Sequence, residues 1–137
     1  MADAAGNSFV SLLSLMARLR GEGGCPWDRE QTRASLKPYL VEETYEVLEA
    51  IDDGDAGKLC EELGDVLLQV VFHADIARER GAFALQRVIE RVSEKMVRRH
   101  PHVFAGAAIE ARQLGREWEA QKARERNAIR FGTAPTN

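Results

Sequence analysis

Apolar residues recur every three or four positions along most of the chain, and this period predicts α-helices rather than strands. The predicted helices cover about 9–20, 38–51, 56–80, 83–99 and 109–128. Helix-breaking residues separate them: the glycine-rich stretch 21–26, the turn 52–55, Gly81 and Pro101. Ser8 and Asp55 stand where N-caps are expected, and Pro38 suits a first helical turn. The pattern therefore predicts an all-α helical bundle.

The predicted helix 56–80 is apolar around most of its circumference. Since a helix that is apolar on nearly all sides is buried on nearly all sides, we expect a second copy of the chain to cover part of it. No repeat or linker interrupts the pattern, which predicts one domain over 1–128 and a disordered tail over 129–137. No apolar run reaches the ~20 residues of a membrane span, and the N-terminus lacks the basic region of a signal peptide, so we expect a cytoplasmic protein without membrane contact.

Composition narrows the function. With 45% hydrophobic residues, 137 residues suffice for one domain with a core. The formal charge of −3 gives no general affinity for polymeric nucleic acid. Cys25 and Cys60 lie too far apart in sequence to form a CxxC metal-ligand pair, and two cysteines are too few for a disulfide scaffold.

The candidate chemistry lies in two acidic clusters on neighbouring predicted helices. Glu43 and Glu46 are three residues apart, as are Glu62 and Asp65, so each pair shares a helix face. Two antiparallel helices can aim four carboxylates at one point, where they stay ionised only with cations between them. Oxygen ligands suit Mg²⁺, which shares its coordination with substrate phosphates. The clusters therefore predict phosphate-ester or phosphoanhydride chemistry.

A polar stripe extends the second cluster along its helix, through Glu62, Asp65, Gln69 and His73. Such a stripe on an otherwise apolar helix is either a solvated face or a functional site. The matching acidic stripe on the preceding helix favours the metal site.

Three further residues border the clusters. Four roles are open for Glu42 and for Glu61. Each is an extra metal ligand, a group that orients a ligand, the catalytic base that takes a proton from a metal-bound water, or a surface carboxylate without a role in the site. Lys58 lies one turn before Glu61 and contacts either a phosphate or a nearby glutamate.

Basic and aromatic residues in the second half of the chain are candidates for substrate binding. Lys95, Arg98 and Arg99 cluster near the end of a predicted helix, where cations also favour the helix dipole. A multi-carboxylate metal site makes phosphate binding attractive for them. Trp118 and Lys122 lie one turn apart, so the indole can stack on a base while the ammonium meets a phosphate; packing of Trp118 on the bundle is the alternative.

These residues together resemble the MazG family of nucleoside triphosphate pyrophosphohydrolases. The resemblance extends from about Leu12 to Lys122. It rests on the segments 24–32 (GCPWDREQT), 36–46 (LKPYLVEETYE), 61–65 (EELGD), 98–104 (RRHPHVF) and 118–119 (WE). It implies the all-α MazG-type fold, dimers or higher homo-oligomers, and hydrolysis of nucleoside triphosphates to monophosphate and pyrophosphate with Mg²⁺, for which Mn²⁺ can substitute.

The resemblance also implies roles for individual residues. The Mg²⁺ ligands are Glu43, Glu46, Glu62 and Asp65. The residues that shape the nucleotide site are Lys58, Glu61, Lys95, Arg99, Trp118 and Lys122, to which we add Glu42 as a catalytic candidate and Arg98 as a phosphate contact. Some family members carry two such modules in tandem, whereas this chain has one.

Three alternatives to a broad house-cleaning hydrolase are considered, of which two remain. One is a narrower dUTP or dCTP pyrophosphatase of the same superfamily, and another is a non-catalytic module that binds nucleotide or a partner protein. The third, a ferritin-like di-iron protein, needs Glu-x-x-His pairs. None of the three histidines has a glutamate three residues before it, so we set this alternative aside.

Overall fold

A computed structural model describes residues 2–104 and 111–130 of the protein. These residues form helices and no strand, which confirms the all-α prediction. The helices are α1 (Ala2–Arg20), α2 (Pro26–Glu30), α3 (Arg33–Asp53), α4 (Ala56–Glu79), α5 (Leu85–Arg99), α6 (Pro101–Phe104) and α7 (Ala111–Arg130). The helices divide between two compact units, Met1–Leu85 and Gln86–Asn137, called here the N-terminal and C-terminal units.

Two helices begin earlier than the sequence predicted. α1 begins at Ala2, so Ser8 lies inside the helix and is not its cap; the alanine-rich start favours helix by itself. α3 begins at Arg33, because Thr32 and Ser35 form a capping box. The Thr32 N–H donates to Ser35 Oγ at 2.8 Å, and the Ser35 N–H donates to Thr32 Oγ1 at 3.1 Å. Pro38 is therefore inside α3 and not at its start.

The turn between α3 and α4 makes these two helices an antiparallel hairpin. Gly54 ends α3 with φ of 70°, a left-handed conformation that favours glycine, and its N–H donates to the Ile51 carbonyl at 3.2 Å. Asp55 caps α4 by accepting from the Lys58 N–H at 3.1 Å, as predicted. Because the turn is tight and the helices are in contact, residues 43–46 and 62–65 come to lie opposite one another.

Arg20 joins three elements of the N-terminal unit. Its guanidinium donates to the backbone carbonyls of Asp28 (2.5 Å) and Gln31 (3.2 Å). It also donates to both carboxylate oxygens of Glu79, at 3.2 and 2.7 Å. Its side chain is only 6% exposed and lies over the ring of Phe72, 5.3 Å from the ring centroid. One side chain thus holds the end of α1 against the segment around α2 and against the end of α4.

The core of the N-terminal unit is formed mainly by the second half of α4, with one residue of α1 and two of α3. The buried apolar residues of these helices are Met16, Leu36, Ala50, Val71, Phe72, Ala74, Ile76 and Ala77. Leu63, Leu67 and Val70 of α4 are instead 39–51% exposed. The apolar circumference predicted from the sequence is therefore only partly covered within one chain.

The C-terminal unit contains two departures from the predicted boundaries. Pro101 follows α5 and opens the short helix α6, in keeping with the preference of proline for a first helical position. α7 runs to Arg130, so residues 129 and 130, predicted to lie in a disordered tail, are helical. Residues 131–137 of that predicted tail lie outside the described residues. Among the described helices, none has the length and apolarity that crossing a membrane requires.

Candidate metal centre

Three of the four predicted ligands meet in the α3–α4 hairpin. Glu43 of α3 and Glu62 and Asp65 of α4 each offer one carboxylate oxygen, and these oxygens all lie within 4.8 Å of one another. All three residues are half-buried. We call these three residues the carboxylate triad. It exists because the i, i+3 spacing on α4 and the tight turn at Gly54 bring residues of both helices to one side of the hairpin.

The electrostatics of the triad favour a cation. Burial, followed by the charges of Asp65, Glu42 and Glu46, raises the pKa of Glu43 above its ordinary value. Burial and then Asp65 likewise raise the pKa of Glu62. In the absence of a cation, the carboxylates thus destabilise one another when ionised. A set of hard oxygen donors under mutual repulsion fits a divalent cation such as Mg²⁺.

Glu46, the fourth predicted ligand, lies beside the triad and not within it. Its charge contributes to the raised pKa of both Glu43 and Glu62, so it is close to both. Its carboxylate does not belong to the group of oxygens within 4.8 Å. Its role as a ligand therefore stays a prediction.

The polar stripe on α4 continues into the protein beyond Asp65. Gln69 is only 8% exposed, and its Oε1 atom has no hydrogen-bond partner among the described residues. Nε2 of His73, one turn further along, is also buried without such a partner. Burying polar atoms without partners costs free energy, so this stripe is not the solvated face that the sequence left open.

The residues predicted to border the triad are all in the N-terminal unit. Glu42 and Glu61 are exposed, and their charges raise the pKa of the neighbouring Glu43 and Glu62. Lys58 pairs with Asp53 of the preceding turn, with Nζ 2.9 Å from Oδ2. This contact differs from the predicted pairing with a glutamate one turn ahead. It is the largest cause of the raised pKa of Lys58.

The predicted phosphate-binding residues lie in the C-terminal unit, and the structure pairs two of them with an acidic residue. Arg98 and Arg99 both bind the carboxylate of Glu125 on α7. Lys95 is half-buried on α5. Nζ of Lys122 lies 3.7 Å from Oε1 of Glu119. Glu125 is not among the residues predicted from the sequence, although its spacing of seven from Trp118 and three from Lys122 places all three residues on one face of α7.

Trp118 packs inside the C-terminal unit. The Arg99 guanidinium lies over its ring at 4.9 Å from the centroid, and the His100 and Trp118 ring centroids lie 5.3 Å apart with an interplanar angle of 63°. This contact accords with the packing interpretation of Trp118. A stacking role would require Arg99 to share or leave that face of the indole.

Removing one charge from the triad is expected to stabilise the metal-free protein. Glu43→Gln removes the repulsion that raises the pKa values of the triad, so we expect a melting temperature about 2 °C above wild type in EDTA at pH 7. We also expect Mg²⁺ to raise the melting temperature of the wild type and not that of the variant. Glu49→Gln, an exposed change on the same helix, serves as the control in thermal melts. A lower melting temperature for Glu43→Gln in EDTA would contradict the mutual repulsion.

Together, the helical hairpin and the carboxylate triad define an all-helical protein with a candidate site for a divalent cation. Residues 31–104 match the profile of the MazG nucleotide pyrophosphohydrolase domain, which is more than half of the chain. The chain belongs to this family, and the resemblance seen in the sequence is confirmed. The match spans α3 to α6 and so contains both acidic clusters and the Arg98–Arg99 pair.

Individual relatives agree with this assignment. The chain is 55% identical over 128 residues to the nucleoside triphosphate pyrophosphohydrolase/pyrophosphatase MazG of Thermotoga maritima, covering 93% of this chain and 50% of that protein. It is 49% identical over 122 residues to the nucleoside triphosphate pyrophosphohydrolase of Escherichia coli K12, covering 88% and 46%. The chain therefore spans about half the length of these two relatives.

A solved structure shares the fold. The crystal structure of a mazG-related protein from Thermotoga maritima superimposes with a TM-score of 0.67 at 29% sequence identity. The match covers 82% of this chain and 97% of that one. The predicted MazG-type fold is thus confirmed.

Proposed function

We propose that this protein hydrolyses nucleoside triphosphates to nucleoside monophosphate and pyrophosphate, in a house-cleaning role on the nucleotide pool. The observation that carries the proposal is the carboxylate triad, which gathers three acidic oxygens of two helices within 4.8 Å. The names of the relatives in Thermotoga maritima and Escherichia coli support the same reaction class.

We propose Mg²⁺ as the cation, with Mn²⁺ as a substitute, held by Glu43, Glu46, Glu62 and Asp65. The donor set fits, because all four side chains offer hard oxygen atoms and the pKa values of Glu43 and Glu62 are raised in part by their neighbours' charges. When bound, Mg²⁺ supplies charge neutralisation and Lewis acidity at the phosphates.

The protein's own residues then have to activate water and hold the leaving group. We assign Glu61 or Glu42 as the base that takes a proton from the attacking water, since each directly precedes a triad residue on its helix. The water oxygen bonds to the α-phosphorus, the bond from that phosphorus to the bridging oxygen breaks, and pyrophosphate leaves with the electron pair. Lys58, whose pKa is also raised by Glu49 and Glu46, is placed to offset charge near the triad.

The C-terminal unit provides candidates for the remaining substrate contacts. We assign Arg98, Arg99, Lys95 and Lys122 to the phosphates, because guanidinium and ammonium groups match phosphate oxygens in charge and hydrogen bonding. We assign Trp118 to the nucleoside, whose base can stack on the indole once Arg99 shares or leaves its face.

A panel of ribo- and deoxyribonucleoside triphosphates tests the proposal. The purified protein is incubated with each nucleotide and Mg²⁺, and the products are separated by chromatography. Monophosphate plus pyrophosphate is the expected outcome, and the rates rank base and sugar. A rate confined to dUTP or dCTP would replace the broad activity by the narrower one. No turnover by folded protein would overturn the enzymatic proposal in favour of a binding module.

We also propose that the protein acts as a homodimer or higher homo-oligomer. Leu63, Leu67 and Val70 lie at i, i+4 and i+7 on α4 and are 39–51% exposed, so they form an apolar stripe suited to a second copy. In sedimentation experiments, Leu67→Lys is expected to shift the protein toward monomer. Val10→Lys, at an exposed valine of α1, is the matched control. An unchanged oligomer in the Leu67 variant would contradict this interface.

A further inference from the structure

Arg98 and Arg99 already bind a carboxylate. Oε1 of Glu125 lies 2.5 Å from Nη2 of Arg98, and Oε2 bonds to Nη2 of Arg99. The side chain of Glu125 is 15% exposed and that of Arg99 is 9% exposed, so the Arg99 arm of the contact is largely shielded from water, whereas Arg98 is 37% exposed. One carboxylate thus bridges the two guanidiniums, with one oxygen on each.

This geometry resembles that of a bound phosphate. Arginine side chains also bind a phosphate through two oxygens of one anionic group. Although burial alone would raise the pKa of Glu125, hydrogen bonds from Arg98 and Arg99 hold it below its ordinary value. The group is therefore an anion at neutral pH, as a phosphate would be.

A cavity adjoins this contact. It has a volume of about 230 Å³ and is lined by Arg98, Gln121, Arg124 and Glu125. This is below the roughly 300–1,000 Å³ of pockets that enclose a drug-sized ligand, and the cavity has room for phosphate groups. Two polar atoms in this unit, Gln121 Oε1 and Arg99 Nε, are buried without a hydrogen-bond partner among the described residues. Arg99 retains a donor that Glu125 does not satisfy.

We propose that Glu125 is a resident competitor for the phosphate-binding arginines, and that an oligophosphate binds by displacing its carboxylate from Arg98 and Arg99. The inference rests on the proposed function, because it takes these arginines as phosphate contacts. Arg124, on the cavity wall, then adds a further cation for phosphate binding. A lone phosphate competes poorly with a preplaced carboxylate, whereas an oligophosphate brings several charges and displaces it.

The competing explanation is a purely structural ion pair. In that case, removing the Glu125 charge would lower the stability of the protein and would not tighten phosphate binding. Competition predicts tighter binding, because the anion no longer has to break charge-assisted hydrogen bonds before it makes its own. Affinity for a phosphate anion therefore separates the two explanations.

The experiment uses inorganic tripolyphosphate as the probe and measures its binding by calorimetry. EDTA is present so that no divalent cation links the probe to the carboxylate triad. Glu125→Gln keeps the shape of the side chain and one acceptor oxygen but removes the charge. It is expected to bind tripolyphosphate about tenfold more tightly than wild type. Glu117→Gln removes one exposed charge from the same helix and is expected to bind as wild type does.

The outcomes are distinct. Equal affinity of Glu125→Gln and wild type, or equal tightening in Glu117→Gln, overturns the inference. If Glu125→Gln does not fold, Glu125→Asp keeps the charge on a side chain one methylene shorter, which is expected to weaken the contact with the two guanidiniums. It should bind the probe more tightly than wild type, and unchanged binding overturns the proposal. Absence of nucleotide hydrolysis together with a tenfold tighter Glu125→Gln would reject the proposed enzyme and leave the competition standing.

Discussion

Replacing Asp65 by asparagine is expected to lower Mg²⁺-dependent turnover of nucleoside triphosphates by about a thousandfold or more. Asp65 lies in the carboxylate triad, and after burial it is the largest cause of the raised pKa of both Glu43 and Glu62. Without its charge the site holds a divalent cation poorly. A bound cation contributes several kcal/mol of transition-state stabilisation, and each 1.4 kcal/mol is a factor of ten in rate. Pyrophosphate release at saturating nucleotide measures the effect.

The control for this variant is Asp52→Asn. Asp52 is an exposed residue near the end of α3 and lies outside the triad, so its loss removes the same charge without touching the site. Its turnover is expected to match wild type. Circular dichroism should show the same helical content in both variants. A folded Asp65→Asn protein with undiminished turnover would show that the triad is not the metal site.

Local sequence features were sufficient to predict the candidate metal site. The spacing of three between Glu62 and Asp65 requires only that α4 be helical, and the cap at Asp55 and the glycine at 54 set the turn. Each of these features acts over one or two helical turns. For this reason the hairpin, and the meeting of three of the four predicted ligands in it, could be predicted from the sequence.

The start of α3 was predicted wrongly because two local signals competed. Pro38 suits a first helical turn, but a proline further in costs one backbone hydrogen bond and not the whole helix. The Thr32–Ser35 capping box satisfies two N–H groups and lets the helix begin at Arg33, five residues before Pro38. Leu36 is then fully buried in the core. The gain from the cap and the burial exceeds the local cost at Pro38.

Contacts between distant residues could not be predicted from periodicity. Arg99 and Glu125 are 26 residues apart, and Arg20 and Glu79 are 59 apart. Each residue alone is an ordinary charged position on a helix surface, and only the packing of separate helices decides which charges meet. The same holds for Trp118, whose ring contacts Arg99 across two helices.

The long-range contact with the largest expected effect on stability is that of Arg20. Replacing Arg20 by methionine is expected to lower the free energy of unfolding by about 3 kcal/mol, as measured by urea denaturation. Methionine fills part of the space but leaves Asp75, whose side chain is 10% exposed, without this cation. The carbonyls of Asp28 and Gln31 also lose their donor. Arg20→Lys restores the charge but not the fork of donors, so we expect only partial recovery.

Arg78→Met is the matched control, because Arg78 pairs with the same Asp75 at 2.9 Å but is 52% exposed. An exposed pair contributes about 0–1 kcal/mol, so its loss should be small.

The two variants should also differ in pH dependence. The Arg20 hydrogen bond lowers the pKa of Glu79 in the folded state, so this stabilisation is present above the ordinary pKa of about 4.5 and is lost as the pH falls through the lowered value. The stability gap between wild type and Arg20→Met should therefore narrow in acid, and a gap that is independent of pH would show that Arg20 contributes packing and not charge. A loss as large for Arg78→Met would contradict the larger contribution expected of the buried arginine.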